Sequence, residues 1–228
     1  MQNPEEELRQ YRQQIYKDVV FLMNTRLKLL KEFTDANNRL VWKSPLGGLS
    51  SVLYDSLFDN LIVTLSWLYS PANRDKRSLV WYLNQVKANT DKFSSDEIDD
   101  QLKKIESVAD IIDRVKTVRD KWVGHRDPIA FNNPKDFMDM NNIQIADFES
   151  LIRLAEEIIN EHFGRFEDAH LIFDLPINGI DLLVKGENSR VDIIRFAEKI
   201  VLSRRKPNFE EQKNSAVEEL LEKHNLFY

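Results

Sequence analysis

Residues 49 to 69 narrow the possible folds more than any other segment, because at helical spacing they are apolar on nearly every side. Leu49, Val52, Leu53, Leu57, Phe58, Leu61, Ile62, Val63, Leu65, Trp67 and Leu68 leave almost no face for water. Such a helix must be enclosed by other helices or by a membrane. Its strongest apolar run, Leu61 to Tyr69, contains Thr64 and Ser66 and is about half the length that a bilayer requires. The chain must therefore supply the enclosing helices itself.

Four other segments carry apolar stripes at three- and four-residue spacing and can do so. Residues 5 to 35 place Ile15, Val19, Leu22, Leu29 and Phe33 on one face, with Arg26 in the middle of it. Residues 74 to 87 offer Leu79, Trp81, Tyr82, Leu83 and Val86, and 145 to 166 offer Phe148, Leu151, Ile152, Leu154, Ala155, Ile158 and Ile159. A single long helix is expected over 96 to 123, opened by Ser94-Ser95-Asp96-Glu97, a capping residue followed by acids in the first turn. Asn37-Asn38, Ser44 to Gly48, Pro71-Ala72-Asn73 and an Asn-, Asp- and Met-rich stretch over 131 to 143 read as connections. The expected fold is all-α, a bundle of about five helices over residues 1 to 167.

The character changes near residue 168. Leu171 to Leu175 and Ile180 to Val184 flank Pro176-Ile177-Asn178-Gly179, the pattern of a short hairpin with an Asn-Gly turn. Two helices, about 189 to 204 and 209 to 224, are expected after it. Residues 168 to 228 thus read as a small C-terminal appendage with an α/β-hairpin.

Bulk properties exclude several function classes. The chain has no cysteine, so disulfides, thiol nucleophiles and thiolate metal sites are ruled out. His162 and His170 do not make a metal site either, because the Glu-x-x-His spacing of helical di-metal bundles needs an acid where Ile159 stands. Gly47-Gly48 lacks the lysine of a phosphate-cradling loop, and no cofactor is expected. The start of the chain has neither the basic residues nor the apolar core of a signal peptide, which predicts a cytoplasmic protein. A net charge of −6 argues against non-specific coating of nucleic acid. A local site is another matter: between Gln101 and Asp127, seven basic residues stand against five acidic ones, a balance of +2.

That basic segment ends in Arg119-Asp120-Lys121-Trp122-Val123-Gly124-His125-Arg126-Asp127, followed by Pro128. Arg119 follows Val115 by four and Ile112 by seven, so it falls inside the stripe formed by Ile105, Val108, Ile112, Val115 and Trp122. A charge there needs a partner or an anion. Arg followed by His is also the minimum for cleaving RNA through its own 2′-hydroxyl. A neutral His takes the proton and an Arg stabilises charge on the phosphoryl oxygens. Spacing alone is weak evidence, since Arg165 precedes His170 with four residues between them. Context separates the two, because Arg165 is followed by Phe166 and Arg119 by a polar residue.

The string from Arg119 to Asp127 resembles the signature of the HEPN superfamily (higher eukaryote and prokaryote nucleotide-binding domains). Its Arg-Asp-Lys opening and His-x-Asp ending are most similar to the abortive-infection AbiU-like branch, over roughly residues 5 to 166. The resemblance implies an all-α bundle that dimerises with two motifs facing each other, and in active members a ribonuclease of toxin, antiviral or RNA-processing systems. Carried over, Arg119 is the phosphate-stabilising cation and His125 the general base or acid. Asp120 matches the polar residue that orients one of them, Gly124 fits a small position, and Asp127 belongs to the branch signature without an assigned role. Lys121 and Arg126 are candidate substrate contacts. The implied partners are a second copy of the chain, RNA or a nucleotide, and an antitoxin or other protein; no membrane is implied.

Structural readings stand beside these. Arg119 is alternatively an ion-pair partner of Asp55 or Asp59, which lie four apart on the central helix next to Asn60. The same two acids are the expected partners of Arg26. His125 is alternatively a cation complementing a helix C-terminus. Arg204-Arg205-Lys206 reads as a solvated helix end, and Trp67, Trp81, Trp122 and Phe148 as core. The chain thus reads as a metal-independent endoribonuclease of toxin or defence type, or as a catalytically silent HEPN-like module that binds RNA, a nucleotide or a protein.

Overall fold

A computed structural model of the chain describes residues 4–34, 47–73, 78–124, 128 and 132–171, and these residues hold helices and no strand. The predicted hairpin and the two helices after it lie outside the described residues. The chain divides into two compact units, Met1–Lys31 with Asp55–Pro176, and Glu32–Tyr54 with Ile177–Tyr228. The first unit contains the bundle.

The helices are α1 (Pro4–Lys17), α2 (Thr25–Thr34), α3 (Gly47–Leu68), α4 (Leu79–Asn89), α5 (Ser95–Glu106), α6 (Ala109–Val118), α7 (Pro134–Asn141) and α8 (Ile145–Glu167). Two π-helical segments, Asp18–Asn24 and Arg119–Gly124, complete the helical path. Helix α8 is the hub. Its inner face, Phe148, Leu151, Ile152, Ala155, Ile158, Ile159, His162 and Phe163, is buried, and it packs on α1, the first π segment and α5. From α3, Phe58 meets Phe148 edge-on at 5.5 Å, and the Tyr69 hydroxyl just beyond the helix donates to the Leu151 carbonyl at 2.5 Å. Burying each large apolar side chain in this interior contributes about 1.5–3 kcal/mol.

The first helix does not keep the predicted register. Ile15 and Val19 are buried as expected, but the next buried residues are Met23, Leu27 and Leu30 rather than Leu22 and Leu29. The cause is the π-helical turn. Each hydrogen bond there spans one extra residue, so the inward face slips by one position, about 100° of rotation. The side chain of Phe33 lies outside the described residues.

Three further expectations change. The segment predicted as one helix over 96 to 123 is interrupted at Ser107 and Val108. There the Ser107 hydroxyl donates to the Lys104 carbonyl at 2.6 Å, and the Val108 N–H to the Ile105 carbonyl at 3.2 Å, a tighter turn than an α-helix makes. The stretch read as a loop contains α7, started by a proline in its first turn and ended by Asn142 at a left-handed φ of 38°. Helix α3 is not enclosed on every side: its buried residues start at Phe58, and Trp67, expected in the core, is 43% exposed. Val52 and Leu53, in its first two turns, are 61% and 44% exposed. The expected N-cap forms at Ser94 and is a full capping box, with the Glu97 N–H donating to the Ser94 hydroxyl at 3.2 Å and the Ser94 N–H to the Glu97 carboxylate at 2.8 Å.

A polar network crosses the interior between α4, α5 and α8. The Gln101 side-chain amide donates to Glu161 at 3.0 Å, so its oxygen faces His162 Nε2 at 2.9 Å and must accept from it. His162 then carries its proton on Nε2, and the Tyr82 hydroxyl donates to the bare Nδ1 at 2.9 Å. Burial, and then the charges of Arg12 and Arg165, push the His162 pKa down to about 3. The ring is neutral and stacks on Phe93 with 4.2 Å between centroids. Arg12, 2% exposed, donates to Glu167 at 2.6 Å and lies 4.3 Å from the centre of the Phe166 ring.

Candidate functional site

The second π-helical segment starts at Arg119, where α6 ends. Its residues project from a widened turn, a distortion that recurs at functional sites. Val118 is fully buried, which fixes the segment against the core, and Arg119 beside it keeps 23% of its side chain exposed. Arg119 is therefore at the edge of the core, not in it.

Three of its five N–H groups are occupied. Nε donates to Asp120 Oδ1 at 2.7 Å and Nη2 reaches the same oxygen at 2.6 Å. Nη1 donates to the hydroxyl of Ser66 on α3 at 3.2 Å. One N–H on each terminal nitrogen is left, and both belong to a partly exposed, permanently charged plane. That is the donor arrangement that grips two oxygens of one phosphate. Asp120 is 53% exposed, so its carboxylate holds the side of the guanidinium from the solvent face.

The structural reading that paired Arg119 with Asp55 or Asp59 is not what the helices do. The Trp122 indole, three residues further along the π turn, stands near Asp59 instead. Burial raises the Asp59 pKa, Asp55 raises it further, and the indole works against both. Asp55 is exposed on the same side of α3. Trp122 also stacks over Phe137 of α7, with ring centres 6.4 Å apart and planes 11° apart. The motif is thus fastened to α3 by Arg119 at Ser66, with Trp122 near Asp59.

Arg26 does not pair with the two acids either. It is half-buried, donates to the Leu22 carbonyl at 2.8 Å, and has its pKa lowered by burial. The register slip of the first π segment moves it off the inner face. Lys121 is exposed. Gly124 closes the turn: a Cβ there would stand 3.2 Å from the Arg119 carbonyl oxygen. His125, Arg126 and Asp127 lie outside the described residues.

The competing Arg165 is a structural residue. Its Nη2 bonds Glu97 at 2.5 Å, its Nη1 donates to the Lys92 carbonyl at 3.2 Å, and its guanidinium lies 4.5 Å from the centre of the Phe93 ring. The bond to Glu97 raises the Arg165 pKa, and Arg165 together with the hydrogen bonds from Ser94 holds Glu97 down at about 2. His170 is exposed beyond the end of α8.

Ser66 was not singled out from the sequence. The only signal was a small hydroxyl within an otherwise apolar run, and in a helix such residues usually bond their own backbone. Thr64 and Ser70 do just that, to Asn60 and Ser66 carbonyls.

With an all-α bundle and an Arg-Asp motif on a π turn in place, comparison with known families gives a consistent result. The family model for AbiU2, of the HEPN type, matches residues 5–179. The chain belongs to the HEPN AbiU2 family. This HEPN AbiU2 match spans the bundle and the whole motif from Arg119 to Asp127, so the resemblance seen in nine residues extends along most of the chain. It places the chain as a HEPN-fold domain of the abortive-infection context. No curated protein and no solved structure shows significant similarity. Among the described residues, no helix of this HEPN AbiU2 chain is long and apolar enough to cross a membrane.

Proposed function

We propose that this chain is a metal-independent endoribonuclease of toxin or antiviral-defence type, acting as a homodimer with Arg119 and His125 of both protomers in one cleft. The observation that carries this reading is the Arg119 guanidinium, tethered through three N–H groups and leaving one on each terminal nitrogen. In the reaction, a ribose 2′-hydroxyl loses its proton to a neutral His125 imidazole and its oxygen bonds to the adjacent phosphorus. The bond from phosphorus to the 5′-oxygen breaks, and the leaving oxygen takes a proton from a protonated His125. Arg119 stabilises the negative charge on the phosphoryl oxygens. Asp120 orients Arg119, and Lys121 and Arg126 are candidate substrate contacts. Products carry a 2′,3′-cyclic phosphate and a 5′-hydroxyl.

A second reading has its own observation. Asp120 already neutralises Arg119, and the whole chain is acidic, which suits a HEPN-like module that binds RNA, a nucleotide or a protein partner such as an antitoxin without chemistry. One experiment separates them. Wild type and His125→Ala are incubated with structured and single-stranded RNAs in the presence of a chelator, and product ends are mapped. Cleavage by wild type only, with cyclic-phosphate ends, is expected; 3′-hydroxyl ends or loss of activity to the chelator would exclude the mechanism.

A further inference from the structure

We infer that Ser66 is a positioning residue of the Arg119 site: its hydroxyl, fixed as an acceptor by its own helix, sets the direction in which the guanidinium presents its free donors. This rests on the ribonuclease reading above and adds a residue from a different helix to it. The argument is one of hydrogen count. Ser66 has a single hydroxyl proton, and it is spent on the Val63 carbonyl at 2.7 Å. The oxygen is left with lone pairs only, and the residue is 0% exposed, so no water competes for them. A guanidinium can only donate. Arg119 Nη1 at 3.2 Å is therefore matched to an oxygen whose polarity cannot reverse.

Asp120 alone would not hold the plane. Nε and Nη2 both converge on one carboxylate oxygen, which acts as a pivot, and Asp120 is half-exposed on a neighbouring residue of the same turn. A second tether on a third nitrogen, from a buried point on another helix, stops rotation about that pivot. Neighbouring hydroxyls show that this is not a general property of α3: Thr64 and Ser70 bond only backbone carbonyls four residues back. Ser66 is the hydroxyl in this stretch that reaches a side chain of the motif.

The test uses the full chain as wild type, Ser66→Ala and Ser66→Thr. Alanine keeps helix propensity and fits the space, and threonine restores the hydroxyl. Two readouts are taken. The first needs no activity: NMR of the Arg119 side-chain nitrogens, where a tethered Nη1 rotates slowly and a released one rapidly. The second is metal-free RNA cleavage resolved into kcat and KM. Slow Nη1 rotation in wild type and Ser66→Thr, fast rotation in Ser66→Ala, and a kcat lowered about tenfold in Ser66→Ala with KM little changed, support the positioning role. Unchanged kcat in Ser66→Ala overturns it and leaves the ribonuclease reading intact. Absence of cleavage by wild type overturns the ribonuclease reading itself, and the positioning role with it.

Discussion

Arg119 donates to the hydroxyl of Ser66, a residue 53 positions earlier in the chain, at 3.2 Å. The bond ties the widened turn that carries the motif to α3, whose sequence is apolar on nearly every side. That arrangement gives the motif a rigid base: Val118 is anchored in the core, and the Arg119 cation next to it bonds a buried oxygen. Rigid support of this kind matters because a catalytic cation displaced by about 1 Å can lose roughly a hundredfold in rate.

Arg119→Lys is expected to abolish most cleavage while leaving the fold in place. A lysine keeps the charge but not the planar fork, so it cannot meet Asp120, Ser66 and a phosphate together. Cleavage should fall by about a hundredfold or more. Stability should change by less than about 1 kcal/mol, because the Arg119–Asp120 pair is partly exposed and screened. Single-turnover cleavage and urea unfolding check the two halves.

Gly124→Ala tests the geometry of the π turn. The added methyl group would sit 3.2 Å from the Arg119 carbonyl oxygen, so that carbonyl must give by a few tenths of an ångström. Cleavage should drop about tenfold as the turn and its guanidinium are re-aimed. The position is exposed, so unfolding free energy should move by less than about 1 kcal/mol. Equal rates in the two proteins would show that the turn tolerates the shift.

Acid should destabilise the fold earlier than its carboxylates alone require. The His162 pKa is about 3 in the folded chain against 6.5 in the unfolded one, so below pH 6.5 the unfolded state binds the extra proton. Stability from this residue is complete above pH 6.5 and is lost as pH falls towards 3, with a slope approaching about 1.4 kcal/mol per pH unit. Glu97, with its pKa near 2 against the ordinary 4.5, adds a loss in the same direction only below pH 4.5. Urea unfolding between pH 7 and 5 should therefore show a slope in wild type that is flatter in His162→Phe, though that variant is less stable at pH 7 because Tyr82 and Gln101 lose their partner.

Arg165→Ala separates the two Arg-to-His spacings. It removes the ion pair to Glu97 and the contact over Phe93, so Tm should fall, yet cleavage at a temperature where the variant is folded should match wild type. A cleavage defect as deep as that of Arg119→Lys would mean that the wrong arginine had been assigned.

Much of this protein could be read from its sequence because its helices are decided locally. The three- and four-residue periodicity of α8 predicted nearly its whole buried face, and Ser94 with Glu97 marked the start of α5, since a capping box is completed within four residues. Arg119 and Asp120 stood out together for the same reason, since the motif is a short string, but that Asp120 pairs with Arg119 was not decided by it. What periodicity missed was wherever the helix itself departs from 3.6 residues per turn. The π segment at Asp18–Asn24 exchanged Leu22 for Met23 on the inner face, and no residue type signals such a turn in advance. The partners of the charged residues were decided only by tertiary structure. Arg119 took Ser66, and Asp59 came to stand near the Trp122 indole, because partner choice depends on where helix faces meet in space, and sequence spacing carries that information only within a helix, not between two.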